Sequence, residues 1–386
     1  MNPFLLIAAL LVLYSFKNYK QAFFLFLAFR LFLNNNINLI NLPGVPLLTL
    51  EVFMSIFFAL LYVVKRKRYS RIITTVPLPF NKAFIWVLLS YVVSSVISIA
   101  GIQNTFPSLL SIFFCDFICV YLCWKLISGK EDIIKIVNLL LGAFLLICIY
   151  AFVELFLGFN PVMDYEIDLA GPRATDWQYL DDERGSRIQS FFLHPIGGSI
   201  NFGLIFCLCL YGYVYYKAYF SKFQLQTMLL IGIMAFIASL LSNSRTPLVF
   251  LAIAILPLIN LKNKQSVRLL AIAAIGIIIL MPYTDFIEKL ILSVIAPEKT
   301  EIRGSSIEMR LDQFEAAYIL MSKSPLWGLG QKATLYYHDR ILVGRLLGME
   351  SIWLWIMVER GILGIITYCT VSYTHLRAHE TSAHLV

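Results

Sequence analysis

Charge is what this sequence has least of. Only 14% of its 386 residues are Asp, Glu, Lys or Arg, against 59% hydrophobic residues and a mean hydropathy of +0.78. Soluble domains carry about 25% charged residues. An apolar excess of this size cannot be hidden in one aqueous core, so the bilayer is the expected solvent. Histidine is scarcer still, with five in all. No His or carboxylate ladder accompanies Cys115, Cys119 and Cys123, which fall at i, i+4 and i+8 of one apolar run. These thiols read as small packing side chains, and neither a metal site, a cofactor nor a disulfide framework is implied. No small-residue cleavage site follows the first apolar run, so that run reads as a span and not as a leader.

Long apolar runs are abundant. A span needs about 20 mostly apolar residues. Eleven candidates are expected at 2–16, 21–33, 45–64, 83–101, 107–127, 133–158, 192–216, 224–242, 245–261, 267–284 and 349–371. The fold class is therefore all-α, a polytopic integral membrane protein with about eleven transmembrane helices.

The formal charge of +8 is placed in a pattern. Lys17 and Lys20 follow the first span, and "KRKRYSR" at 65–71 follows the third. Lys125, Lys130 and Lys135 flank the exit of the fifth; Lys217 and Lys222 follow the seventh; Lys262, Lys264 and Arg268 follow the ninth. Odd-numbered spans thus end in basic connections, which orient toward the cytoplasm. The run at 65–71 then reads as orientation and lipid-headgroup contact, not as a nucleic-acid surface. By the same rule two long excursions, 159–191 and 285–348, are expected outside.

The first excursion holds seven acids and three arginines, Arg173, Arg184 and Arg187. The acids match no calcium-loop spacing and read as a solvated surface. Arg187 lies five residues before the apolar run that begins at Phe192, and His194-Pro195 follows just inside it. The second excursion carries a helix signature. Ser305 and Glu308 form a capping box, Ile307, Leu311, Phe314, Tyr318 and Met321 make one helical stripe, and Ser324-Pro325 ends it. The stripe is expected to lie on the spans or on lipid. Arg310 projects off it, and His338 lies further along the same loop.

Arg245 stands in "SLLSNSRTPLVFLAIAILPL", between two apolar stretches. An Arg at the centre of a spanning helix costs roughly 2.5–3.5 kcal/mol on insertion scales. Two readings are open. Arg245 pairs with an intramembrane acid such as Asp116 or Glu154, or it lines a wet, outward-facing pocket that takes an anion. Guanidinium forks hold phosphate bidentately and stay charged at any working pH, and Arg187, Arg245 and Arg310 are expected on the same side. Glu350 stands at the outer end of the last span, placed to act as a general base. Glu359 and Arg360 lie about 14 Å deeper by helical rise, where charges are paired and functional by default.

Four segments, "RIQSFFLHPIGGSINFGL", "SNSRTPLVFLAI", "MRLDQFEAAYILMSKSPLWGLG" and "ESIWLWIMVERGILGI", resemble in order and topology the O-antigen ligase and polymerase superfamily. The resembling region runs from about 184 to 366. It implies a metal-independent membrane glycosyltransferase of the bacterial cytoplasmic (inner) membrane. Such an enzyme uses a glycan carried on undecaprenyl pyrophosphate, with its active site on the outer, periplasmic face. Carried over by position, Arg187, Arg245 and Arg310 would hold the pyrophosphate, and Glu350, at the start of the closing motif, would be the catalytic carboxylate. Arg184, His194 and His338, the last off the family motif, are further candidate substrate-binding residues. Ligases of this family tend to carry a His where Glu350 stands, so a repeat-unit polymerase of O-antigen, capsule or exopolysaccharide is expected over a ligase. The implied partners are the lipid-linked glycan, membrane lipid, and a flippase or chain-length regulator.

Three divisions are expected: residues 1–158 as N-terminal spans, 159–370 as the ligase- or polymerase-like region, and 371–386 as a foreign tail. "VSYTHLRAHETSAHLV" breaks the apolar pattern abruptly and resembles translated adapter sequence, so His375, His379 and His384 receive no role. Family members continue with further spans, which implies that C-terminal spans are missing. A lipid-linked oligosaccharide flippase is the rival class; it would bind at mid-membrane and show repeated halves, and no internal repeat is seen.

Overall fold

The computed structural model describes residues 3–33, 38–40, 48–69, 81–170, 187–192, 194–242, 251, 255, 307–338 and 351–383. These residues are mostly helical and fall into two compact units. One takes Met1–Ile37 and Gly129–Gly304, the other Asn38–Ser128 and Ser305–Val386.

The first unit contains α1 (Pro3–Lys17), α2 (Tyr19–Phe29), α7 (Lys130–Leu157), α8 (Pro161–Ala170), α9 (Pro195–Tyr215) and α10 (Lys222–Leu241). Helix α7 ends where Gly158 takes a left-handed φ of 73° and donates its N–H to the Glu154 carbonyl, the usual glycine stop. Helix α10 opens on the Ser221/Gln224 capping box. Helices α9 and α10 pack together and α10 packs on α7, around Ile147, Cys148, Ala151, Phe202, Ile231 and Ala235. Between α9 and α10 the Ser199 hydroxyl donates to the Ser239 carbonyl at 3.0 Å, and Ser239 returns the bond at 3.1 Å. Small hydroxyl residues of this kind let helix backbones approach closely in lipid. Lys20 of α2 pairs with Asp132 of α7 at 2.5 Å.

The second unit contains a two-stranded antiparallel ribbon, β1 (Asn38–Ile40) with β2 (Leu48–Thr49). Its helices are α3 (Leu50–Tyr69), α4 (Asn81–Val96), α5 (Ile102–Ser111), α6 (Cys119–Leu126), α11 (Ile307–Lys323), α12 (Ala333–His338) and α13 (Ile352–Ala383). A π segment, Ile112–Ile118, joins α5 to α6 into one 25-residue rod. Pro107 lies inside α5, and its missing N–H disturbs the ladder just ahead of that segment. Cys115 and Cys119 are buried, and the Cys119 thiol contacts the Ser55 hydroxyl at 3.7 Å.

Five helices among the described residues are long and apolar enough to cross a membrane: 102–126, 130–157, 195–215, 222–241 and 352–373. They correspond to the expectations at 107–127, 133–158, 192–216, 224–242 and 349–371. Their outer surfaces stay apolar, with Phe156 88% and Leu208 60% exposed, a surface that water would not tolerate in bulk. The run expected at 83–101 is shorter, because its helix ends at Val96 and Ser98 begins a turn. Those expected at 2–16 and 21–33 are helices of 15 and 11 residues. The runs at 245–261 and 267–284 lie almost wholly outside the described residues, as does Ser305 of the expected capping box.

The first excursion, expected outside with its acids as a solvated surface, opens on helix α8. Asn160 caps it, its Oδ1 accepting the Met163 N–H at 3.1 Å, and Pro161 occupies the first turn, where a missing N–H is harmless. In α11, Leu311 (64% exposed), Phe314 (56%) and Tyr318 (57%) face away from the protein, as the expectation of a stripe on lipid allows. The buried face is Gln313, Ala316, Ala317 and Leu320, packed toward α13. The tail does not interrupt the helix: beyond Gly361, α13 continues through His375 and His379 to Ala383.

Candidate functional site

Among the described residues, a buried polar cluster stands out in each unit. In the first unit the segment 187–192 crosses between α7 and α9. The Glu154 carboxylate of α7 accepts the Ser190 N–H at 2.6 Å and the Gln189 N–H at 3.2 and 3.3 Å. Asn160 donates to the Ser190 carbonyl at 2.7 Å, and the Ser190 hydroxyl donates to the Ile147 carbonyl at 2.9 Å. Ser190 holds a φ of 57°, an unfavourable value for a residue with a Cβ, and these bonds pin it there. Buried and outside a regular element, these groups need protein partners.

That anchored segment presents Arg187. Its Nε donates to the Ser242 carbonyl at 3.2 Å, at the C-cap of α10. The beginning of "RIQS" and the beginning of "SNSR" therefore meet, and Ser242 stands three residues ahead of Arg245 in sequence. His194 caps α9, its Nδ1 accepting the Ile196 N–H at 3.1 Å. Glu154, one of the two acids considered as a partner for Arg245, is committed to the backbone of Gln189 and Ser190. Arg245, Arg184 and Glu350 lie outside the described residues.

The second unit is built around a break in α13. Gly361 has φ 60° and ψ −158°, which divides the helix. A Cβ at Gly361 would stand 2.6 Å from the Pro325 carbonyl and the Gly328 nitrogen, so only glycine fits. The break exposes peptide groups on both sides, and "PLWGLGQ" takes them up. Ile362 and Leu363 donate to the carbonyls of Pro325 (2.9 Å) and Leu326 (3.2 Å). The Val358 and Glu359 carbonyls accept from Leu329 (2.9 Å) and Gly330 (3.0 Å). Helix α4 closes the arrangement: Gln331 N–H donates to the Ser94 carbonyl at 2.9 Å, and the Ser94 and Ser98 hydroxyls donate to the carbonyls of Glu359 (3.0 Å) and Gln331 (2.6 Å).

Glu359 and Arg360, expected as paired charges, are both buried, and each has a different partner. The Glu359 carboxylate accepts the Lys332 N–H at 2.7 Å, at the entry to α12. Arg360 lies over the Tyr91 ring at 3.5 Å and donates to the Tyr368 hydroxyl at 3.1 Å. Tyr91 and Tyr368 are themselves joined hydroxyl to hydroxyl at 2.7 Å. Desolvated cation–π contacts of this kind contribute about 2 kcal/mol, and they replace a carboxylate here.

Arg310 is exposed on the first turns of α11. His338 ends α12. No group of three or more His, Cys, Asp or Glu among the described residues could hold a metal ion.

Residues 228–369 match the family model described as O-antigen ligase. This segment belongs to the O-antigen ligase family. It contains Arg245, Arg310, His338 and Glu350, and both halves of the Gly361 arrangement from "PLWGLGQ" to "ERG". Arg184, Arg187 and His194 precede the O-antigen ligase segment. No curated protein and no solved structure matches the chain.

Sequence reasoning missed the roles of Glu154, Gln189, Ser94, Tyr91 and Tyr368. For the second unit the glycines of "GLG" and "ERG" were the available signal. Read together, they mark two backbones in contact; read singly, "GLG" is only a turn.

Proposed function

We propose that this chain is a glycan-transferring membrane enzyme that lengthens lipid-linked repeat units, a polysaccharide polymerase of the O-antigen ligase family. The single observation that carries the reading is the Arg187–Ser242 contact. It supports an arrangement in which a permanent cation from "RIQS" serves the same anion as Arg245 of "SNSR".

In this reading Arg187 and Arg245 grip the pyrophosphate of the undecaprenyl-linked donor, with Arg184 and Arg310 adding charge. A hydroxyl oxygen of the acceptor sugar attacks the anomeric carbon. The carbon–oxygen bond to the pyrophosphate breaks, and the hydroxyl proton passes to the Glu350 carboxylate. The pyrophosphate leaves on its lipid with the bonding pair. Charge grows on the leaving oxygen, so cations placed there bind the transition state more strongly than the ground state. His194 and His338 contact the glycan. The catalytic face is the outer one, as the basic connections favour.

The test is a purified-protein assay with a lipid-linked repeat unit. A ladder of products supports polymerisation. One addition to a lipid A-core acceptor supports the ligase activity that the family description names. Arg245→Ala should lower turnover by about 10²–10³, the scale for removing one charge-stabilising donor, and should leave single repeat units on outward-facing carrier in cells. Accumulation on the cytoplasmic face would instead indicate a flippase and refute the proposal.

A further inference from the structure

The segment 187–192 has its backbone well provided for. Glu154, Asn160 and the Ser190 hydroxyl each serve it, and the Phe192 N–H reaches the Gln189 carbonyl at 3.2 Å. Helix α9 presses against it so closely that a Cβ at Gly198 would stand 3.0 Å from the Gln189 carbonyl oxygen. The Gln189 side chain is the exception. The residue is wholly buried, and among the described residues neither its Nε2 nor its Oε1 has a hydrogen-bond partner.

An unmet amide in a buried site is unfavourable. A fold that supplies partners to every neighbouring group and none to this one leaves the amide for a ligand. We propose that the Gln189 amide is a sugar-recognition group that binds the glycan next to the pyrophosphate. This rests on the function proposed above.

The chemistry of the amide selects the ligand atoms. Oε1 only accepts and Nε2 only donates, so the complement must both donate and accept. A pair of sugar hydroxyls or an acetamido group does this. A phosphate oxygen only accepts and would leave Oε1 unmet. Arg187, two residues earlier in the same anchored segment, supplies the charge that a phosphate requires. The amide is closed to solvent here, so the segment or the side chain shifts when the donor binds.

The test uses the full chain with two probes: undecaprenyl pyrophosphate alone, and the same carrier bearing one N-acetylhexosamine. Gln189→Met keeps the side-chain volume and removes both polar atoms. It is expected to melt at or above the wild-type temperature and to bind the bare carrier unchanged. It should bind the sugar-bearing carrier about tenfold more weakly, the scale of one or two lost hydrogen bonds, with KM rising more than kcat falls. Gln189→Asn, which keeps the amide, should recover part of the sugar preference. Arg187→Ala should weaken both probes. A lowered melting temperature in Gln189→Met with both affinities intact would make the amide structural and overturn the proposal. So would equal weakening toward both probes, or no change toward either. A wild-type protein that binds neither probe refutes the parent function; one that binds both while Gln189→Met fails to discriminate refutes the sugar contact alone.

Discussion

Glu154→Ala is the sharpest perturbation of the site's frame. The carboxylate accepts two N–H groups, and both residues that donate them are wholly buried. Water therefore cannot take over. Each stranded donor costs about 1–3 kcal/mol, so the substitution should destabilise by about 2–6 kcal/mol. That is a large share of the roughly 5–15 kcal/mol that holds a typical domain folded. Glu154→Gln is milder for a geometric reason. One carboxylate oxygen, Oε2, receives both N–H groups, at 3.2 and 2.6 Å. An amide that places its carbonyl there keeps both bonds, and the loss should fall to about 0.5–1.5 kcal/mol. Glu131→Ala, at an exposed position of the same helix, should stay within about 0.5 kcal/mol of wild type. Thermal unfolding of the purified protein in detergent gives the order wild type, Glu131→Ala, Glu154→Gln, Glu154→Ala. If Glu154→Ala melted with the wild type, the anchoring of 187–192 by α7 would be wrong, and with it the placement of Arg187.

Three further outcomes follow from the geometry. Gly330 has φ 88°, and a Cβ there would meet the backbone of Ser98 and the Ser94 carbonyl at 2.7 Å; Gly330→Ala should cost about 2–5 kcal/mol in the same melting assay, whereas Gly142→Ala, in open space on α7, should gain about 0.5–1 kcal/mol. Tyr91→Phe keeps the ring beneath Arg360 and loses only the bond to Tyr368, about 1 kcal/mol, while Tyr91→Leu also loses the cation–π face and should cost about 3 kcal/mol by unfolding. Arg187→Lys keeps the charge but lacks the Nε–H that meets Ser242, so product formation from lipid-linked repeat units should drop at least about tenfold.

Hydropathy made the main helices legible. Runs such as 133–158 and 224–242 appear within a few residues of α7 and α10, because an uninterrupted apolar stretch has few alternatives in lipid. The end of α7 at Gly158 and the capped start of α8 at Asn160-Pro161 were also written locally. The buried face of α11 was not. In water an apolar stripe marks the interior, but lipid is as apolar as leucine, so Ala316 and Ala317 face the protein and Phe314 faces out. Long-range pairs were equally hidden. Nothing near Ser94 announces Glu359, 265 positions away, and nothing near Glu154 announces Ser190. For the site, Arg187 could be singled out as a cation at a boundary, while its acceptor, a main-chain carbonyl at Ser242, carries no residue signature at all.

The opening of α13 at Gly361 bears on how the chain is made. A helix normally enters the translocon with its peptide bonds already closed on themselves, and can wait in lipid for its neighbours. This one cannot, because the peptide groups of Val358, Glu359, Ile362 and Leu363 are closed by residues 325–331, with the Ser94 hydroxyl also on the Glu359 carbonyl. Those residues leave the ribosome first. The mate is therefore already present when the divided helix emerges, and order of synthesis spares the membrane a set of naked amides.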